Sequence, residues 1–314
     1  MLNQELIVSH EIFMTPTAML ADYVLPGDVF TERNHVADSW SWSTRLALSQ
    51  KVVEPPAEAS STFQFWTDLA HRMGFADEFP WANLEDMLDY RLARGGRTFQ
   101  EFASETYMEL APPKFRKYRD KGFATPSGKV ELASSILGDL GFDSLPYYRE
   151  LPSQSEEYPY LVFTGVREDP FFQTGQRNIE SLRRRMPAPS LYLHTSDAER
   201  EGLVDGDWAK LSTPQGEVVA QVAVHETMKQ GHIRVPHGWW YPELRGQASL
   251  AGAFISSDAV LCADSDEWLD HEQGVPHFKG FPGKVEKTDK PQQVSRTTPA
   301  DWQADQAVEA HAES

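Results

Sequence analysis

The sequence predicts an α/β region followed by a closed β-barrel. Three observations carry this. The first 26 residues read as strand, short helix and strand with short links, the pattern of a parallel α/β unit. From Tyr160 to Val235 come many short apolar runs separated by turn residues, which is barrel patterning. Between them, from Leu145-Pro146 to Glu157, the chain is polar, charged and Pro-bearing. The main boundary is placed there, giving an α/β part at 1–150, a barrel at 151–286 and a polar, disordered tail at 287–314.

The elements follow in order. Leu6-Ile7-Val8 is a strand, and Ser9-His10-Glu11 a turn. Thr15-Pro16-Thr17 opens a short helix that runs through Ala18–Ala21 into a second buried strand ending at Pro26. A two-stranded parallel sheet is not a stable domain alone, so this segment is expected to sit within a larger sheet. Trp40-Ser41-Trp42 alternates as a half-buried strand. Trp66, Leu69, Ala70 and Met73 share one helical face that stops at Gly74. Leu84, Met87, Leu88 and Leu92 mark a second helix ending at Gly95-Gly96, and Thr98-x-x-Glu101 is a capping box opening a third. Gly122 to Glu131 reads as a hairpin with Ser127-Gly128 at its turn and Lys129 solvated beside it.

In the second part, strands are read at 160–164, 191–193, 208–212, 217–224 and 231–235. Ser181–Met186 is a short basic helix. Asp197–Arg200 is another, capped by Thr195 or Ser196 and stopped by Gly202. Thr213-Pro214-Gln215-Gly216 is a hairpin turn.

Composition narrows the function. Net charge is −18 with acidic residues widely spread, which disfavours nucleic acid or an anionic membrane as partner, although a local basic pocket can still bind an anion. No apolar run approaches the roughly 20 residues of a membrane span, and Met1–Leu6 has no signal-peptide character. The single cysteine, Cys262, forms neither an internal disulfide nor a Cys-rich cluster or zinc site, and reads as a small buried residue. His271-Glu272 has the start of a zinc-protease motif, but Gly274 and Pro276 break the helix it needs. There is no Gly-x-Ser-x-Gly elbow and no P-loop, so hydrolysis has no nucleophile–base constellation behind it.

Three loops stand out. Thr164-Gly165-Val166-Arg167 ends a strand with a glycine and a cation, suited to close backbone approach and an arginine fork. An ordinary strand-end turn has the same form. Gln173-Thr174-Gly175-Gln176-Arg177-Asn178 offers amides and donors to an anion, or is a solvated loop. His237-Gly238-Trp239-Trp240 places adjacent indoles on opposite sides, one for the core and one free to stack on a ring. Lys279 is a lone cation between aromatics.

Taken with Ala21-Asp22-Tyr23-Val24-Leu25-Pro26, Thr125-Pro126-Ser127-Gly128-Lys129-Val130-Glu131 and Gly202-Leu203-Val204-Asp205-Gly206-Asp207, these loops form an ordered series. The series resembles the C-terminal part of molybdopterin-dependent oxidoreductases, the dimethyl-sulfoxide-reductase superfamily. The nearest look is to polysulfide- or thiosulfate-reductase and acetylene-hydratase-like catalytic subunits. The resemblance implies the end of a Rossmann-like α/β region and a double-psi β-barrel. It implies a bis molybdopterin guanine dinucleotide carrying molybdenum or tungsten, lined by Thr164, Gly165, Arg167, Gln173, Gln176, Arg177, His237, Gly238 and Trp239, with Lys279 near. No catalytic residue and no metal ligand is expected on this chain.

Two departures are Gln173, where the family often has His, and Ser256-Ser257-Asp258-Ala259 in place of Ser-Asn-x-Asn. A third is the lack of the Cys-rich iron–sulfur motif. The chain is therefore expected to be the C-terminal portion of a longer catalytic subunit. Its partners would be the N-terminal portion, which bears the iron–sulfur cluster, and an iron–sulfur electron-transfer subunit. A non-catalytic assembly subunit using the same barrel is the alternative.

Overall fold

Alternation along Tyr160-Leu161-Val162-Phe163-Thr164 turns Tyr160, Val162 and Thr164 inward, and the main core is built around them. The computed structural model describes residues 3–38, 44–105, 107–109, 112, 114–148, 150, 154–244, 250–262, 265 and 268–292. Trp40–Trp42 and nearly all of the expected tail lie outside these residues. The chain forms two compact units: residues 1–14 with 21–130, and residues 15–20 with 131–314.

In the first unit, β1 (Val8–Glu11) pairs in parallel with β2 (Tyr23–Pro26). His10-Glu11, read as a turn, is part of β1. β2 was expected to be buried, yet all four of its residues are exposed. A three-stranded antiparallel sheet comprises β3 (His35–Asp38), β4 (Arg45–Ser49) and β5 (Tyr107–Glu109). Its core joins Val36 and Met108 to Leu88, Leu92, Phe99 and Phe102.

The helices begin where the caps put them. Ser61 accepts from the Gln64 amide at the start of α1 (Thr62–Arg72), and Asn83 from the Asp86 amide at α2 (Leu84–Leu92). Thr98 and Glu101 form the full capping box of α3 (Phe99–Phe102). On α1 the apolar face is only partly used: Ala70 is buried, while Trp66, Leu69 and Met73 are exposed. Residues 122–131 form a turn, with the Gly128 amide donating to the Thr125 carbonyl, and no hairpin strands.

The second unit holds a closed six-stranded barrel. Its strands are β6 (Tyr160–Val166), β7 (Ser190–Leu193), β8 (Trp208–Ser212), β9 (Glu217–Val224), β10 (His232–Pro236) and, after a short pair of β11 (Leu269–Asp270) with β12 (Val275–Pro276), β13 (Lys279–Lys287). The order around the barrel is β10-β6-β13-β8-β9-β7. β6–β10 and β7–β9 are parallel and the other four contacts antiparallel, in keeping with the double-psi arrangement. Inward residues of all six strands fill one core, among them Leu191, Leu211, Val222, Ile233 and Val285.

The helix at Thr195–Arg200 is capped by the His194 side chain rather than by Thr195 or Ser196. β13 was not read as a strand. Two glycines and Pro282 depress its strand propensity, and a register shift between Lys279 and Phe281 accommodates them.

Candidate cofactor site

The ends of β6, β10 and β13 bring the candidate loops together. Pro236 is in register with Val166, and the His237 amide donates to the Val166 carbonyl at 2.8 Å. Thr164 donates to the Phe278 carbonyl through both its amide (2.9 Å) and its hydroxyl (2.7 Å), which seats Lys279 beside the glycine turn. The 173–177 loop joins them through Arg177, which donates to the carbonyls of Gln173 and His237, each at 3.0 Å. The Trp240 indole N–H also donates to the Thr174 carbonyl at 2.7 Å.

The backbone is left-handed at four points of this cluster: Gly165 (φ 70°), Gln173 (φ 52°), Gln176 (φ 68°) and Gly238 (φ 60°). For the two glutamines this conformation costs about 1–3 kcal/mol each, and such strain concentrates at functional sites. At Gly238 a side chain is barred twice. The angle is unfavourable, and a Cβ would lie 2.1 Å from the Thr174 methyl.

Asp258 was missed as a site residue. It is 1% exposed, and its carboxylate accepts from the Gly165 amide (2.9 Å), the Gly238 amide (2.8 Å) and His237 Nδ1 (3.1 Å). The departure at residues 256–259 is thus an internal anchor. Its sequence signal is one carboxylate in the otherwise uncharged stretch from Ala248 to Ala263.

Burial divides the ten candidates. Gly165, Arg167, Gln176 and Lys279 are exposed, and Gln173 and His237 are partly so. Thr164, Arg177, Gly238 and Trp239 are buried behind the loops. Arg177, 1% exposed, is sandwiched between Phe171 (4.2 Å) and Trp239 (4.3 Å). Burial, then the neighbouring Arg183 guanidinium, pulls its pKa down to about 10. Its Nε and one terminal nitrogen have no partner among the described residues. Arg183 instead pairs with Glu243 at 2.8 Å.

Trp239 is one of the two adjacent indoles expected to lie on opposite sides. It is fully buried, edge-on to Phe171 and Tyr241. Trp240 is buried too, against Met19. Burial pushes the Cys262 thiol up, consistent with an inert residue.

The outward groups suit an anionic, nitrogen-rich ligand. Among the described residues, Arg167 and Lys279 have no carboxylate partner. The adjacent acids are engaged, Glu168 with Arg234 (2.7 Å) and Asp169 with Arg185 (2.6 Å). Gln173 and Gln176 add amide donors and acceptors.

Comparison with known proteins agrees. Residues 161–282 match the family model described as Molydopterin dinucleotide binding domain, and residues 1–72 that described as Molybdopterin oxidoreductase. The barrel and these matches define a molybdopterin dinucleotide-binding domain of the oxidoreductase family, and the chain belongs to the molybdopterin-dependent oxidoreductases of the dimethyl-sulfoxide-reductase superfamily.

Within that family it is similar to acetylene hydratase of Syntrophotalea acetylenica, 40% identical over 290 residues, covering 89% of this chain and 40% of the relative. A solved acetylene hydratase from Pelobacter acetylenicus matches with a TM-score of 0.86 and 39% identity, covering 91% of this chain and 41% of that one. A trimethylamine-N-oxide reductase of Haemophilus influenzae (strain ATCC 51907 / DSM 11121 / KW20 / Rd) is 26% identical over 273 residues, covering 76% of this chain and 33% of the relative. The chain therefore spans about two-fifths of the length of the acetylene hydratases it matches.

Proposed function

We propose that this chain holds a molybdopterin guanine dinucleotide, in the bis form with molybdenum or tungsten, for a catalytic subunit whose remainder lies on an N-terminal portion. The observation that carries the reading is the pair of cations, Arg167 and Lys279, without a carboxylate partner among the described residues, beside two left-handed glutamines on loops anchored from behind. Arg167 and Lys279 meet phosphate, Gln173, Gln176 and His237 meet the edges of the heterocycles, and Gly165 admits close approach. Thr164, Arg177, Gly238 and Trp239 hold these loops in shape. When bound, the metal–pterin group supplies the redox or Lewis-acid chemistry, and this chain supplies binding and orientation.

The N-terminal portion is the partner in this reading. It carries the iron–sulfur cluster, passes electrons with an iron–sulfur subunit and completes a Rossmann-like sheet on β1–β2. The exposed apolar residues Val8, Tyr23, Val24 and Leu25 on that two-stranded sheet support this.

The test is to co-express the full chain with an N-terminal portion from a relative and to measure bound pterin and metal. Both should be retained, and Arg167→Ala with Lys279→Ala should lower them together, with the gap to the wild type narrowing at high salt. Absence of pterin and metal in the wild-type pair would sink the proposal. If Arg167→Ala altered only partner binding and left cofactor content intact, the assembly-subunit reading would stand instead.

A further inference from the structure

Two glycine loops in a cofactor site would ordinarily offer their amides to the ligand's phosphates. Here those amides are already taken. Both oxygens of the buried Asp258 carboxylate are used, one by the Gly238 N–H at 2.8 Å and the other by the Gly165 N–H at 2.9 Å. The same oxygen that meets Gly165 also meets His237 Nδ1 at 3.1 Å. On the other side, Arg177 donates to the His237 carbonyl. A buried carboxylate thus holds the Gly238 amide of one loop and the Gly165 amide of the other, while a buried guanidinium holds the His237 carbonyl.

Both Asp258 oxygens already accept a backbone N–H, so at the 3.1 Å contact Asp258 is assigned as the acceptor and His237 Nδ1 as the donor. In the neutral ring Nε2 is then an acceptor. It has no partner among the described residues, and the side chain is one-third exposed.

We propose that Asp258 is a positioning residue that fills the amide nest of the two glycine loops and fixes His237 as the Nδ1–H tautomer, so that Nε2 accepts a hydrogen bond from an N–H group of a bound heterocycle. This rests on the cofactor reading above and adds a division of labour to it. Phosphate goes to the side chains of Arg167 and Lys279, because the glycine amides are not free. A ring N–H of the pterin or guanine goes to His237.

The test reads the tautomer on the full chain without cofactor. Nitrogen NMR of 15N-histidine-labelled protein, in alkaline buffer where imidazole is neutral, separates Nδ1–H from Nε2–H. The His237 signals are assigned by their loss in His237→Gln. The wild type should show Nδ1–H. Asp258→Ala removes the acceptor at Nδ1 and should shift the ring to Nε2–H, the tautomer a free neutral imidazole prefers. In the co-expressed complex the same substitution sets a donor against a donor and should cut pterin retention roughly tenfold.

His237→Gln leaves both glycine amides held, so its thermal midpoint should stay near that of the wild type. Asp258→Ala frees both amides and should lower it. An Nε2–H tautomer in the wild type, or an unchanged tautomer in Asp258→Ala, overturns the proposal, as does equal destabilisation by His237→Gln and Asp258→Ala. The wild-type spectrum decides even if the variants fold poorly. A chain with the expected tautomer that retains no pterin overturns the cofactor reading alone.

Discussion

Arg167 and Arg177 show how the same residue type does opposite work ten positions apart. Arg167 is exposed over the Phe172 ring at 5.9 Å and is free to meet an anion. Arg177 is inside, with two backbone carbonyls as acceptors and two aromatic faces as walls. Removing it would unpair both carbonyls and empty the space between the rings. Arg177→Ala should therefore lower the free energy of unfolding by about 3 kcal/mol in urea titration. A variant as stable as the wild type would show that the guanidinium is not a clasp.

Tyr160, on β6, makes a second residue-level case. Its hydroxyl donates to Glu201 at 2.5 Å and accepts from Arg200 at 2.8 Å. Burial first, then the Glu201 bond, raises its pKa well above the ordinary tyrosine value. The folded form therefore keeps the proton after the unfolded chain has lost it. Stability from this group is complete below the unfolded pKa of about 10 and falls as pH rises beyond it. Tyr160→Phe should be less stable by roughly 1 kcal/mol at neutral pH and should lose part of the alkaline decline. An alkaline profile parallel to the wild type would refute this.

At the scale of elements, the site depends on strand ends that glycine and pairing register bring together. Gly238 follows β10, where its missing Cβ lets the 173–177 loop approach through Thr174. Gly238→Ala should cost about 1–3 kcal/mol from the left-handed backbone alone, with a clash added. Adding Thr174→Ser removes the clashing methyl, so the double variant should recover part of the lost thermal midpoint but not all of it. Full recovery would mean the backbone angle is unstrained, and no recovery that the contact is unimportant. β13 matters equally, since it bonds β6 and β8 and carries Lys279 at its start.

For the whole molecule, charge and apolar exposure point in different directions. The net charge of −18 favours solubility and repels anions at a distance, so retention of an anionic cofactor relies on local cations. The first unit nevertheless exposes Trp66 and Leu69 on α1, Met73 at its end and all of β2. It also has an apolar groove of about 460 Å³ lined by Phe63, Trp66, Trp81, Leu84, Met87 and Tyr90. Surfaces of this kind mark an interaction face. The chain expressed alone should bind an apolar dye such as ANS and self-associate, and co-expression with an N-terminal portion should suppress both. A monodisperse chain with no dye binding would contradict the proposed partner.

Local chemistry by itself was enough to determine several elements, though not β13 or the 122–131 segment. The Thr98–Glu101 box, the Leu84–Leu92 periodicity, the 213–216 turn and the 217–224 strand are set by neighbouring residues, and all four stand where the residues placed them. The ordered loops also carried the family. What only the tertiary structure decided was direction: which loop side chains face out, and what holds them. Gly165 finds its carboxylate 93 residues away and Arg177 its acceptor carbonyl 60 residues away. No local pattern records such pairings, because burial of a loop residue is set by what the closed barrel brings against it.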